Sequence, residues 1–243
     1  MVKSGKFGPI THIRANWYLN GSWRVDAPQH LDDQFNWRIK KNYSLGLMTE
    51  LASHQTQVAN WFLGEFPESV SGFGSINHWR DGRDTFDNVH AMYSYPGGAH
   101  FEFSSMLSNW HYGLEEQVMG PKATMELEKG KFYLQSPPPA PGIEQLITSI
   151  EKGIFETIPV GGASWIINTG SKQKGEMIID EYPLPDSTGL SLEAFTESIK
   201  RGRQIPDILE QGYYASITAI LGHQAMEQKK TLNYDLLKNI SST

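Results

Sequence analysis

Six short strand-like segments follow one another through the middle of the chain, and they constrain the fold more than any other feature. The segments are 68–79, 86–95, 99–107, 113–119, 122–128 and 131–135. Pro96-Gly97-Gly98, between the second and third segments, is typical of a tight hairpin turn. Consecutive strands joined by short turns pair in antiparallel fashion. The sequence therefore predicts a large, mainly antiparallel sheet.

Helical patterns flank this region and complete the predicted fold. Residues 44–63, 190–202 and 207–228 show helical spacing of their apolar residues, and residues 9–18 alternate like a further strand. A strand is also expected at 176–182, and residues 143–175 are compatible with a short helix, a loop or an insertion. We expect an α+β fold in which a large, mainly antiparallel open sheet carries helices packed on one face.

Composition limits both the size of the fold and the class of function. The 243 residues, 39% of them hydrophobic, can form one domain over 1–243. The net charge of −6 argues against non-specific nucleic-acid binding. No apolar run approaches the roughly 18 residues of a membrane span, so we expect no membrane partner. A cytoplasmic location is expected, with the periplasm left open. With no cysteine, the chain has no disulfide or thiol chemistry.

A polar band borders the apolar face of the helix predicted at 44–63. Glu50, His54, Gln57 and Trp61 share this band, and Glu50 and His54 are separated by four residues. A carboxylate beside an imidazole can orient the ring for proton transfer. The alternative is a helix with one structural histidine. The other histidines lack metal-ligand spacing, so we predict no metal site.

A second group of candidates lies in loops rich in aromatic and polar residues. Residues 19–43 form a loop of a length that is unusual unless it is functional. Aromatic faces flanked by hydrogen-bonding groups suit sugar rings. The predicted substrate contacts are Trp23, Arg38 and Lys40 from this loop, and Asn109, His111 and Tyr112 from the sheet edge. The alternative is that these residues fill the rim of the core or make surface hydrogen bonds.

Three stretches together resemble one known family. The first runs from Gly46 through Glu50 and His54 to Trp61-Phe62-Leu63-Gly64, and it is similar to the catalytic helix of the Gfo/Idh/MocA oxidoreductases. The opening stretch 3–15 resembles the first strand of that family's second domain, and 195–212 resembles its closing helices. The resemblance extends from about Gly5 to about Lys230.

The resemblance implies an NAD(P)-dependent enzyme that acts on sugars, inositols or related polyols. His54 would be the acid/base group, and Glu50 stands where the family usually has Asp. The open sheet face would form a homodimer or homotetramer. NAD or NADP would be bound mainly by an N-terminal domain, whose G-x-G-x-x-G turn and Glu-Lys-Pro motif are not found in these 243 residues. We therefore expect a C-terminal domain that is inactive alone.

Two other functions stay open at this point. Some relatives use a transient NAD-dependent oxidation to cleave a glycosidic bond by elimination, and release of a free sugar without net cofactor reduction would distinguish that reaction. A non-catalytic module for carbohydrate binding or oligomerisation is the other alternative.

Overall fold

The computed structural model describes residues 2, 5, 7–135, 176–177 and 186–234. The predictions for 143–175, and for all but two residues of the strand at 176–182, lie outside the described residues. None of the described helices is long and apolar enough to cross a membrane.

Nine strands form one sheet, and this confirms the predicted large, mainly antiparallel architecture. The strand order is β8-β7-β6-β5-β1-β4-β3-β2-β9. The strands are His12–Tyr18 (β1), Ser69–Ser75 (β2), Asn88–Ser94 (β3), His100–Met106 (β4), Leu114–Gly120 (β5), Ala123–Glu126 (β6), Lys131–Leu134 (β7), Glu176–Met177 (β8) and Leu232–Asn233 (β9). The turn at Pro96–Gly98 joins β3 to β4 as predicted, with Gly97 at a φ of 77°.

One pair of neighbouring strands is parallel. β1 pairs with β4 from His12 and His100 to Tyr18 and Met106, and it pairs with β5 in antiparallel fashion on its other side. The C-terminal ends of β1 and β4 therefore meet at one edge of the sheet. This edge is the part of the fold that positions the candidate site.

The helices begin and end within a few residues of their predicted bounds. A short helix, α1, spans Asp32–Phe35 within the segment predicted as a loop. A π-helical turn at Met48–Ala52 leads directly into α2, which spans Ser53–Leu63. The last two helices are α3, Ser187–Arg201, and α4, Ile208–Gln228.

Small residues allow α2 and α4 to pack closely against each other and against the sheet. The Thr56 hydroxyl donates a hydrogen bond to the Ala215 carbonyl oxygen at 3.1 Å. The Tyr93 hydroxyl on β3 donates to the Thr218 carbonyl oxygen, also at 3.1 Å. A Cβ atom at Gly222 would lie 2.2 Å from the Tyr93 hydroxyl oxygen. The hydrogen bonds and this missing Cβ together fix the position of α4 over β2 and β3.

The two faces of the sheet differ in composition. On the helix-covered face, Tyr93, Phe101 and Phe103 are fully buried in the main core. The opposite, open face carries polar side chains and two exposed apolar ones, Phe73 and Met92. The difference between the two faces confirms the prediction that helices pack on one side of the sheet.

Candidate functional site

The polar band predicted on the first long helix is present. None of Glu50, His54, Gln57 and Trp61 is buried, whereas the opposite side of the helix packs into the core. Gly64 ends α2 in a left-handed conformation with a φ of 70°. The π-helical turn at Met48–Ala52 widens the start of the helix, and such turns are frequent at functional sites.

His54 lies beside an aromatic ring at the C-terminal end of β1. The centroid of its imidazole is 5.8 Å from that of the Trp17 ring, and the two planes are tilted by 56°. Trp17 follows Ile13 and Ala15 on the helix-covered face of the strand, because side chains alternate along a strand. Among the residues that the structure describes, neither ring nitrogen of His54 has a hydrogen-bond partner. The imidazole is exposed and can exchange a proton with a bound molecule.

Among the described residues Glu50 makes no hydrogen bond to His54, so its predicted role beside this histidine stays a prediction. Oε1 of Glu50 accepts a hydrogen bond from the Ser44 hydroxyl at 2.9 Å, and Oε2 forms an ion pair with Nε of Arg38 at 3.2 Å. Both contacts come from the segment that precedes the helix, so the Glu50 carboxylate connects that segment to the start of the helix.

The two basic candidates of that loop have different partners. Arg38 reaches the Glu50 carboxylate and also lies over the Trp37 ring, 4.9 Å from its centroid. Lys40 lies instead near Asp32, with its Nζ 3.4 Å from that carboxylate. The structure therefore connects Arg38 to the start of the candidate helix, whereas Lys40 stabilises the loop itself.

Trp23 has the least usual backbone of the candidates. Its φ is 63°, in the left-handed region that a bulky residue seldom adopts. The side chain is half-buried and packs against the main core. A contact with His54 is not seen for it among the described residues, so its role as a substrate contact stays a prediction.

Asn109, His111 and Tyr112 lie in the loop between β4 and β5 at the same edge of the sheet. Asn109 accepts a hydrogen bond from the His111 backbone N–H at 2.8 Å. The Tyr112 ring contacts the Tyr18 ring, with centroids 6.4 Å apart. Tyr18 follows Trp17 and therefore points to the opposite face of the sheet. Tyr112 therefore lies at the end of β1 on the side opposite His54, and the roles of Asn109 and His111 as substrate contacts stay predictions.

Sequence reasoning missed a buried polar pair next to His54. Gln55, the following residue, is 2% exposed, and Glu116 on β5 is 9% exposed. Burial and, to a smaller extent, the charge of Glu128 raise the pKa of Glu116 to about 7, although a hydrogen bond with Gln55 acts to lower it. The available signal was the Glu at position 116 of β5, where the alternation of the strand calls for a core residue.

The described residues show no arrangement suited to a metal ion. No group of three histidine, aspartate or glutamate side chains comes together in that part of the chain.

The sequence profile of the GFO/IDH/MocA C-terminal domain matches residues 1–126. The chain thus belongs to the Gfo/Idh/MocA family of oxidoreductases, through the C-terminal domain of that family. The chain is also similar to the Bacillus subtilis (strain 168) protein named "Putative oxidoreductase YteT". The two are 30% identical over 80 residues, and this stretch covers 32% of this chain and 17% of that protein.

Solved structures share the fold at low sequence identity. The aldose-aldose oxidoreductase from Caulobacter crescentus, complexed with glycerol, has a TM-score of 0.61 at 17% identity, over 96% of this chain and 58% of that one. Levoglucosan dehydrogenase in complex with NADH and levoglucosan has a TM-score of 0.63 at 14% sequence identity, and the match covers 96% of this chain and 60% of that one. Myo-inositol 2-dehydrogenase from Lactobacillus plantarum has a TM-score of 0.59 at 14% sequence identity, and the match covers 96% of this chain and 59% of that one. The chain spans about three fifths of the length of these proteins.

Proposed function

We propose that this chain is the substrate-binding and acid/base domain of an NAD(P)-dependent sugar or polyol oxidoreductase. The observation that carries the proposal is the exposed His54 imidazole beside the Trp17 ring, at the edge of the sheet where β1 and β4 end. An aromatic face next to a proton-transfer group suits a ring-shaped substrate that has apolar C–H faces and hydroxyl edges. The sugar and polyol names of the structural relatives support the same substrate class.

His54 is the group that takes the proton from the reacting hydroxyl, or returns it to the ketone. Nicotinamide chemistry, a hydride exchange at the carbon that bears this hydroxyl, is what the cofactor would supply. The residues described here do not fit a dinucleotide cradle, because no glycine-rich turn among them opens a helix after a parallel strand. We assign cofactor binding to a separate domain of the same protein.

The open face of the sheet is the proposed contact between subunits. Phe73 on this face is 83% exposed, and Met92 lies diagonally next to it on the neighbouring strand. Exposed apolar side chains on a sheet face that no described helix covers favour burial against a second copy. The assembly that we propose through this face is a homodimer or homotetramer.

The test is a substrate panel on the full-length protein. Levoglucosan, myo-inositol and D-glucose would each be incubated with NAD+ or NADP+, and nicotinamide absorbance and product sugars would be followed. Reduction of the nicotinamide by at least one of these compounds is the expected result. Release of a free sugar from a glycoside without net reduction would instead identify redox elimination. Binding of sugar without either reaction would contradict the proposed enzyme and favour a binding module.

A further inference from the structure

Glu116 interrupts an otherwise apolar surface next to the candidate site. It lies on the helix-covered side of β5, where its neighbours Ala15 on β1 and Val118 on β5 are buried apolar residues. A carboxyl group in such a place is costly unless it is paired. Among the residues that the structure describes, Glu116 forms no ion pair, so core packing alone does not account for it.

Gln55 is the second polar group at this position; it forms a hydrogen bond with Glu116 but is itself incompletely satisfied. Its side chain comes from α2 and faces the Glu116 carboxyl. Its Oε1 atom is buried without a hydrogen-bond partner among the described residues. A buried acceptor without a hydrogen bond is destabilising and rare in native proteins, so it calls for an explanation. A buried carboxyl group that is hydrogen-bonded to an amide with a free acceptor atom indicates a polar site rather than a packing defect.

The register of the sheet places this pair at the His54 edge. Ala15 pairs with Glu116, and Trp17 pairs with Leu114 on the same two strands. Glu116 and Trp17 are therefore diagonal neighbours on one face of the sheet. Trp17 contacts the His54 ring, and Gln55 follows His54 in the helix. A molecule that lies on Trp17 beside His54 has Glu116 within the reach of a sugar ring.

We propose that Glu116 contacts the substrate and binds one hydroxyl of the sugar ring, and that Gln55 is the positioning residue that holds its carboxyl group. This inference rests on the proposed function, and it adds a residue that determines which sugars are accepted. A hydroxyl can donate to the carboxylate form or accept from the protonated form. Because its pKa is about 7, Glu116 presents both forms near neutral pH. Glu128, in the turn between β6 and β7, is the neighbouring charged group that raises the pKa of the Glu116 carboxyl.

The test combines one isosteric variant with a set of matched substrates. In the full-length protein, Glu116→Gln is compared with Glu115→Gln, which removes the same charge from the opposite face of β5. The substrate is whichever of levoglucosan, myo-inositol and D-glucose reacts fastest, together with its monodeoxy analogues. We expect Glu116→Gln to raise KM about 10-fold with kcat changed less than about 3-fold, as for one hydrogen bond to a charged group. Glu115→Gln should leave both constants unchanged.

The deoxy analogues separate a substrate contact from a structural role. The analogue that lacks the hydroxyl bound by Glu116 should show the same KM in the wild-type protein and in Glu116→Gln, because neither can make the contact. The other analogues should retain the 10-fold effect. An equal rise in KM for every analogue, or no rise for any, would overturn the inference.

Gln55→Met provides a second readout that does not depend on Glu116→Gln folding. Loss of the amide removes the group that lowers the pKa of Glu116, so the pH at which KM changes should move upward. An unmoved profile would contradict the positioning role. A failure of this inference is distinguishable from failure of the proposed function, because in the first case His54→Ala still abolishes turnover, and in the second case it does not.

Discussion

His54 is held by an aromatic ring and not by a carboxylate, and this has a chemical consequence. A carboxylate partner would fix one tautomer of the imidazole and favour its charged form. The Trp17 contact restricts the position of the ring but makes no hydrogen bond to either nitrogen. In the proposed reaction, these ring nitrogens would let His54 take the proton from a substrate hydroxyl and pass it on to solvent.

Glu116 should make the stability of the protein depend on pH in an unusual direction. Its pKa is about 7 in the folded state and 4.5 in the unfolded chain, so the folded protein binds this proton more tightly than the unfolded chain does. The stability that this group contributes is complete below pH 4.5 and is lost as the pH rises towards 7 and beyond, by about 3 kcal/mol. Glu116→Gln should therefore be more stable than the wild-type protein at pH 8, and the difference should shrink towards pH 5.

Denaturant unfolding of the chain at both pH values measures this effect. Glu115→Gln is the control, because it only breaks a partly exposed ion pair with Lys129 at 3.7 Å, worth about 0.5 kcal/mol. A variant that gains stability while it loses substrate affinity would mark a residue kept for function. Equal destabilisation of Glu116→Gln at pH 5 and pH 8 would show that the carboxyl is structural.

At the residue level, the sequence predicted which side chains face outward but not their partners. Helical spacing was sufficient to place His54, Gln57 and Trp61 on one exposed band. The pairing of Glu50 with Arg38 could not be predicted, because Arg38 comes from a segment without periodicity. The approach of Glu116 to Gln55 depends on strand register, which no local pattern specifies.

At the level of elements, the close packing of α4 on the sheet depends on Gly222. A Cβ atom there would lie 2.2 Å from the Tyr93 hydroxyl oxygen and 2.8 Å from Cε of Met48. Gly222→Ala should therefore lower the free energy of unfolding by about 1–3 kcal/mol, because the helix must move away from the π-helical turn. The midpoint of urea unfolding measures the change.

Gly212 in the same helix is the matched control. A Cβ atom at this position would meet nothing within 4 Å. Gly212→Ala should raise stability by about 0.5–1 kcal/mol, because alanine has the better helix propensity. If both variants behaved alike, the close approach at Gly222 would not be the cause.

The elements themselves were predictable to within a few residues, and their order in the sheet was only partly so. Hairpin turns such as Pro96–Gly98 identify neighbours that are close in sequence. The parallel pairing of β1 with β4 joins segments more than 80 residues apart in the chain, and no turn signal marks it. The edge where these strands end, and with it the candidate site, therefore required the structure.

At the level of the whole molecule, the open sheet face predicts assembly. Phe73→Asp should weaken the proposed subunit contact, because a carboxylate would be buried without a partner against the second copy. Size-exclusion chromatography with light scattering should show a smaller species than for the wild-type protein. Leu190→Asp is the control, because it introduces the same charge at an exposed apolar residue of α3 that is not part of the open face; Leu190 is 52% exposed. A loss of assembly in both variants alike would argue against the sheet face.

The central claim is that His54 carries the proton in a hydride exchange, and its most direct test is the rate of nicotinamide reduction by the full-length His54→Ala protein. Gln57→Ala, one turn further along the same exposed band, is the control. The expected result is a fall in kcat of at least about 100-fold for His54→Ala with the fold intact, and a change below about 3-fold for Gln57→Ala. Near-normal turnover in a folded His54→Ala protein would remove His54 from the mechanism.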